Sequence, residues 1–231
     1  KVNSNHWDQL FEVWMRTDPS GMYDWLEAHA GELTKEQRER AVFNATKVAW
    51  KLDPERGIRL VKQFDSDQGT LYHLFMHWAE HDPAAAGARF LQEPDGPVQR
   101  RAIHGMMGTW AKKDPAGARA WAEVLPDPVL SAQMVAYVGN VISWKDARAG
   151  ADFLIDVPQT NDTRMALRTV VGKWTERSPE VALEWVANLE DAILADWIAN
   201  AVLSDLTEEK KGTVKQHWIE LRDRKRNGAV R

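Results

Sequence analysis

The chain has no cysteine among its 231 residues and only three tyrosines. Without cysteine it can form no disulfide, thiolate zinc site or cysteine nucleophile, although this does not fix its compartment. It also lacks a strong excess of one charge, since its formal net charge is −4, so no global field draws it to nucleic acid or an anionic membrane. No apolar run approaches the roughly 18 residues that a membrane-spanning helix needs. These absences argue against a nucleic-acid partner and against a membrane span in this chain.

Signatures of catalysis are missing as well. The sequence contains no phosphate-binding glycine loop, no Gly-x-Ser-x-Gly and no His-Glu-x-x-His, the motifs that would indicate phosphate binding, serine hydrolysis or zinc proteolysis. No pair of carboxylates stands out as a general acid and base. We therefore predict no cofactor and lean towards a protein that is not an enzyme.

Tryptophan, in contrast, is abundant, with twelve residues. Six of these are followed two to four residues later by Asp or Ser, and in five cases proline comes next. The six Asp or Ser residues lie 35, 29, 32, 32 and 32 residues apart, which is the period of a helical-hairpin array. The pairs are Trp14–Asp18, Trp50–Asp53, Trp78–Asp82, Trp110–Asp114, Trp144–Asp146 and Trp174–Ser178.

Each tryptophan closes a helical stripe of apolar residues. Ile103, Met106 and Met107 precede Trp110 at the spacing of one helix face. A following Asp or Ser can accept hydrogen bonds from the first turn of a new helix, and proline suits its first position. The pattern predicts a helix A that ends near the tryptophan and a helix B that begins after the Asp or Ser. A column of small residues in helix B predicts close helix packing at Gly57, Ala86, Ala118, Gly150 and Ala182.

The period places helices over most of the chain. The A helices are predicted at 5–17, 34–52, 68–81, 97–113, 128–145 and 161–177, and the B helices at 19–30, 54–64, 83–92, 115–124, 146–155 and 179–188. The signature fades near residue 190, and an atypical polar helix pair extending to about residue 226 would cap the array. We predict an all-α fold, a right-handed α-solenoid forming a single domain over 1–231. About six hairpin repeats of ~32 residues would span about 5–190, before the C-terminal cap at about 190–226.

Three segments, 110–121, 78–83 and 174–185, carry a resemblance to a known family. They resemble the tandem helical repeats, written W-x(4)-D-P-x(5)-W, of bacterial proteins of unknown function, and more loosely TPR-like and HEAT-like α-solenoids. The shortened spacers after Trp50 and Trp144, and the loss of the motif after residue 190, depart from that pattern. The resemblance implies a helical solenoid and an extracytoplasmic or membrane-anchored address in a bacterium. It implies no catalytic residue.

Three histidines form the sharpest local cluster. His73, His77 and His81 recur every four residues, so they share one helix face, with Glu80 beside them and His104 aligned in the next A helix. Two histidines one turn apart can chelate zinc or nickel, which makes His73, His77 and His104 candidate metal ligands. The alternative is a polar helix face, with His81 favoured near a helix C-terminus by the helix dipole.

The predicted function is a non-enzymatic scaffold that binds a protein or peptide partner as a monomer. The faces of the A helices that point away from the core would contribute His73, His77, Arg101 and His104. The alternative is an enzyme on a helical array, either a metal-dependent hydrolase at His73, His77 and His104 or a DNA-glycosylase-like nucleic-acid binder. The chain begins at Lys1 rather than methionine, so we expect that a preceding segment was removed. The sequence leaves open the partner's identity, the helices that line the concave face and any neighbouring domains.

Overall fold

The computed structural model describes residues 4–64, 69–93 and 96–228, and every regular element in these ranges is helical. Each helix of the twelve predicted above lies within two residues of its predicted bounds, and the predicted terminal pair is present. The all-α prediction is thus confirmed. The helices are α1 (Ser4–Thr17), α2 (Pro19–His29), α3 (Lys35–Leu52), α4 (Pro54–Phe64), α5 (Thr70–His81), α6 (Pro83–Phe90), α7 (Pro97–Lys113), α8 (Pro115–Glu123), α9 (Pro128–Ser143), α10 (Ala147–Ile155), α11 (Asn161–Arg177), α12 (Pro179–Ala187), α13 (Ala192–Asp205) and α14 (Glu208–Gly228).

The helices form two compact units, Lys1–Asp114 and Pro115–Arg231. In the first unit α1, α3, α5 and α7 each pack on the next of these four, and α2, α4 and α6 contact the helices before and after them in the chain. In the second unit α9, α11 and α13 pack in the same way, and α14 packs on α12 and α13. Odd-numbered helices therefore form one layer in each unit. The prediction of a single domain over 1–231 stays a prediction.

In every hairpin except the fifth, one residue joins the A helix to its B helix with no intervening loop, whereas residues 144–146 separate α9 from α10. At Asp82 the backbone N–H donates to the Trp78 carbonyl at 2.8 Å, which completes α5, and the Asp82 carbonyl accepts from the Ala86 N–H at 3.1 Å, which begins α6. Its φ of −140° and ψ of 82° take the chain out of the helical region for that one residue. The carboxylate also accepts from the Ala85 N–H at 2.9 Å. The predicted caps are confirmed in this way at Asp18, Asp53, Asp82 and Asp146.

We call the residue between an A helix and its B helix the joint. At the sixth joint, Ser178, the predicted side-chain cap is absent. Its backbone has the geometry of the other joints, with φ of −148° and ψ of 71°, and its N–H donates to the Trp174 carbonyl at 2.8 Å. Its side chain, however, makes no cap hydrogen bond to α12. At the sister joints the carboxylate of Asp18, Asp53, Asp82 or Asp146 accepts this hydrogen bond. The predicted side-chain cap is therefore wrong for Ser178.

Replacing Ser178 by aspartate should stabilise the protein. Since Asp makes the cap at joints of the same geometry, we expect Ser178→Asp to raise the free energy of unfolding by about 0.5–1 kcal/mol. Urea unfolding followed by circular dichroism measures this change. Ser178→Ala is the control and should be close to neutral, because there is no side-chain cap to remove. A Ser178→Asp protein no more stable than the wild type would contradict this view of the joint.

At three of the joints with a spacing of four residues, those of Trp78, Trp110 and Trp174, the tryptophan is buried, whereas Trp14 at the same spacing is half-buried. Asp82 follows Trp78 by four positions, as Ser178 follows Trp174, and these tryptophans are only 8% and 9% exposed. In each case three residues intervene, one fewer than in the repeat pattern that the sequence resembles. At this distance the tryptophan carbonyl closes the last helical bond, and the side chain points between the helices.

Shorter spacers displace two tryptophans, so the expectation that every one of them closes helix A is wrong for Trp50 and Trp144. Asp53 donates its N–H to Ala49 at 3.0 Å, and Asp146 donates to Ile142 at 3.2 Å. Each residue along a helix turns the side chain by about 100°, so the tryptophans one and two places later point elsewhere. Trp50 is half-buried, and Trp144 is 59% exposed.

Successive B helices are linked by ion pairs. In the first unit Arg56 on α4 reaches Asp24 on α2 at 2.6 Å, and Arg89 on α6 pairs with Glu55 on α4. The two carboxylates are 73% and 51% exposed, so each pair contributes no more than about 1 kcal/mol. Their effect is to fix the register between neighbouring hairpins of the unit.

Candidate partner-binding surface

Two of the three histidines of α5, His73 and His81, lie against aromatic side chains of α3. The His73 ring meets Phe43 edge-on, with centroids 4.9 Å apart, and the His81 ring stacks on Trp50 at 3.7 Å and 7°. Both contacts advance in the same direction along the two helices, so α3 and α5 run parallel. We call this surface the α3–α5 face, formed by Phe43, Lys47 and Trp50 on α3 and by His73, His77 and His81 on α5.

The α3–α5 face is partly open to solvent. Lys47 and His81 are exposed, and the other four members are half-buried. The Lys47 ammonium lies 5.1 Å from the Phe43 ring centroid and donates to the Asn44 side-chain carbonyl at 2.9 Å. His77 Nδ1 lies 3.3 Å from a Glu80 carboxylate oxygen. Aromatic rings surrounded by polar groups are the composition of protein–protein contact surfaces.

The imidazole of His73 has a lowered pKa. Burial is the largest cause, and the nearby His77 and the Lys47 ammonium lower it further. Each of these opposes a positive charge on the ring, so His73 is neutral at pH 7. The residue therefore presents a neutral imidazole beside Phe43 rather than a cation.

Mild acid should weaken the folded state through His73. Its pKa in the fold is below the ordinary value of 6.5, so the unfolded chain takes up this proton more readily. The contribution of His73 to the free energy of unfolding is then fully present above about pH 6.5. It is lost as the pH drops through the pKa that His73 has in the folded protein. The lowered pKa of Glu27, caused mainly by its hydrogen bond from Arg56, acts separately, below about 4.5. We expect the urea midpoint to fall between about pH 7 and 5, and less so in His73→Asn.

A titration of His73 by nuclear magnetic resonance tests the cause directly. Lys47→Gln should bring the His73 pKa closer to 6.5, since a positive charge has been removed. Lys51→Gln is the matched control on the same helix and should leave it unchanged. A His73 pKa at or above 6.5 in the wild type would contradict the assignment.

The other predicted site residues lie on α7. His104 is exposed as a residue, while partial withdrawal of its imidazole from water lowers its pKa. Arg101 also lies on α7, but its side chain falls outside the described part of the structure. Over that part no group of three or more His, Asp or Glu side chains is arranged to hold a metal ion. The metal site at His73, His77 and His104 therefore gains no support, although His77 lies close enough to His73 to lower its pKa.

Sequence reasoning missed the α3 half of this surface. Phe43, Lys47 and Trp50 were not predicted as site residues, although the short spacer after Trp50 marked that joint as unusual. The second signal lies in the spacing. Phe43 and His73 are 30 residues apart, close to one repeat, as are Trp50 and His81 at 31. Equivalent positions of neighbouring A helices therefore meet.

No family model, curated protein sequence or solved structure matches this chain. None of the helices within 4–64, 69–93 and 96–228 is both long enough and apolar enough to cross a membrane. Function must accordingly be argued from the residues of the chain itself.

Proposed function

We propose that this protein is a non-enzymatic helical-repeat scaffold that binds a protein or peptide partner on its A helices. In this proposal the hairpins belong to a right-handed α-solenoid of about six repeats with a C-terminal capping pair. The α3–α5 face is the contact surface in the first unit. The observation that carries the proposal is the stack of Trp50 on His81 at a partly open surface, outside the tryptophan positions that build the core.

The position of Trp50 favours binding over packing. Because of the shortened spacer, the Ala49 carbonyl and not that of Trp50 accepts the hydrogen bond from Asp53 N–H. The Trp50 ring is therefore turned away from the core. The ring is nevertheless held, since Trp50 Nε1 donates to the Lys47 carbonyl at 3.1 Å and the ring face lies on His81. A large aromatic ring that is fixed before binding loses little conformational entropy when a partner covers it. Tryptophan is also among the residues that dominate binding energy at protein interfaces.

The parallel helices also supply a binding direction. From Phe43 to Trp50 the α3–α5 face extends over seven residues, or about 10 Å along α3 at 1.5 Å per residue. That length matches two turns of a partner helix or about three residues of an extended peptide. The neutral imidazole of His73, and the His77 ring beside Glu80, offer hydrogen-bonding groups along it.

Peptide selection provides the test. A displayed library of random peptides is selected on the immobilised protein, and the selected peptides are measured by fluorescence anisotropy against wild type, Trp50→Ala and His81→Ala. We expect the Trp50→Ala variant to bind about tenfold more weakly. Val124→Ser is the matched control, because Val124 is 74% exposed and belongs to the other unit. Failure to select any peptide family would overturn the proposal, and selected peptides that all bind Trp50→Ala as well as wild type would overturn the α3–α5 face as its contact surface.

A further inference from the structure

A groove opens in the second unit beside the irregular fifth joint. It has a volume of about 370 Å³ and lies where α9 ends, α10 begins and the last turns of α11 pass. Its walls include the rings of Trp144 and Trp174, the side chains of Lys173 and Arg177, and Ser178. All of these residues belong to one unit.

The exposed wall of the groove results from the displaced Trp144. Because Asp146 closes α9 through the Ile142 carbonyl, Trp144 lies beyond the last helical turn as the residue that caps α9. It is 59% exposed, against 9% for Trp174 across the groove. The groove thus has one indole seated in the core and one indole presented to solvent.

The charge of the groove differs from that of the chain. Its walls carry two cations, Lys173 and Arg177, and no carboxylate, although the chain as a whole has a net charge of −4. Within the described residues neither cation has an ion-pair or hydrogen-bond partner. By contrast Arg168, five residues before Lys173 on α11, is held by Asp205 at 2.6 Å. The nearest acidic side chain in the fifth joint, Asp146, is engaged in its cap to Ala149 at 3.0 Å.

A second depression of about 280 Å³ lies on α11 towards α13. It shares Lys173 with the groove, and its walls include Met165 and the carboxylates of Glu176 and Asp205, the second of which is paired with Arg168. Met165 is 42% exposed. An occupant whose acidic groups stay at Lys173 and Arg177 can therefore extend an apolar residue towards Met165, which suits a peptide better than a lone anion.

We infer that this groove binds an acidic peptide segment, with an apolar or aromatic side chain between Trp144 and Trp174 and flanking carboxylates on Lys173 and Arg177. The guanidinium of Arg177 can hold a carboxylate by two parallel hydrogen bonds, and Lys173 adds a second positive charge on the same wall. The inference rests on the proposed function that the protein is a peptide binder. It assigns the partner's chemistry at a surface separate from the α3–α5 face.

Three series of fluorescent peptides test this inference. Each has leucine or phenylalanine at its centre, flanked by glutamate in the first series, glutamine in the second and lysine in the third. We expect the glutamate series to bind wild type at least about tenfold more tightly than the glutamine series, and the lysine series to bind weakest. Lys173→Glu with Arg177→Glu should abolish this preference, and Trp144→Ala should weaken binding about tenfold.

Two further variants separate binding from folding. Ser178→Asp places a carboxylate in the groove wall while stabilising the fold, so it should weaken the glutamate series about threefold despite a higher melting temperature. Trp50→Ala changes only the α3–α5 face and should leave these peptides unaffected. Equal binding of the glutamate and glutamine series, or unchanged binding in the Lys173→Glu and Arg177→Glu protein, would overturn the inference.

The remaining outcomes are also decisive. If wild type dimerises in analytical ultracentrifugation and Trp144→Ala does not, the groove is covered by a second copy and the inference fails. If selected peptides bind the α3–α5 face while the glutamate series does not bind, the inference fails and the proposed function stands. If no peptide binds at either surface, the inference and the proposed function both fail.

Discussion

Trp174→Ala should lower the free energy of unfolding by about 3–5 kcal/mol, whereas Trp144→Ala in the same unit should lower it by less than about 1 kcal/mol. Trp174 is 9% exposed, joins the core of the second unit and lies 6.0 Å from the Trp185 ring. Removing it leaves a cavity at the end of α11. Trp144 is 59% exposed, so its removal changes little of the packed interior.

Trp144 has a shorter spacer than Trp174, and its joint has Asp146 and Ala147 in place of Ser178 and Pro179. Their comparison therefore sets a displaced, exposed tryptophan against one that belongs to the core. Urea unfolding of both proteins, followed by circular dichroism, gives the two free energies. Trp78→Ala in the first unit repeats the test on another buried tryptophan, one that is 8% exposed. Similar losses for Trp144→Ala and Trp174→Ala would contradict the distinction between core and displaced tryptophans.

Two glycines in A helices should respond to alanine with opposite signs. At Gly105 in α7 an added Cβ would lie 2.4 Å from the Tyr72 backbone carbonyl of α5, so the two helices must separate. We expect Gly105→Ala to cost about 1–3 kcal/mol despite the better helix propensity of alanine. At Gly172 in α11 nothing lies within 4 Å of the added Cβ. Gly172→Ala should therefore stabilise the protein by about 0.5–1 kcal/mol.

Thermal melts of the two variants measure this contrast, since each change adds the same methyl group to a helix interior. The result that matters is whether the melting temperature of each variant rises or falls relative to wild type. A Gly105→Ala protein that is more stable than wild type would show that α5 and α7 do not approach through this glycine. A destabilised Gly172→Ala protein would show that the α11 surface is covered.

The local rules of the repeat made most of the helices predictable. Apolar spacing, Asp caps and proline at the first helical position are properties of neighbouring residues, and they placed α7 at 97–113 as observed. Ser178 could not be judged in this way, because serine and aspartate both favour this position and only the structure shows that the serine side chain makes no cap. The polar face of α5 was also readable, because a four-residue spacing fixes side chains on one helix side.

The contacts between A helices were harder to foresee. That His81 stacks on Trp50, and that His73 meets Phe43, depends on the offset between α3 and α5, which is set by core packing and not by either helix alone. The displacement of Trp144 was likewise hidden. The sequence showed a short spacer, but only the hydrogen bond from Asp146 to Ile142 reveals that the joint kept its geometry and the tryptophan moved.

The central claim is that the displaced Trp50 forms a binding surface while the tryptophans at regular joints hold the fold together. Nitrogen-15 labelling of the indole groups tests it most directly, because each tryptophan gives its own signal. When a peptide selected on the wild-type protein is added, we predict that the Trp50 signal shifts and saturates, while those of Trp78 and Trp110 stay in place. A Trp50 signal unmoved at saturating peptide, with shifts confined to the buried tryptophans, would contradict the account.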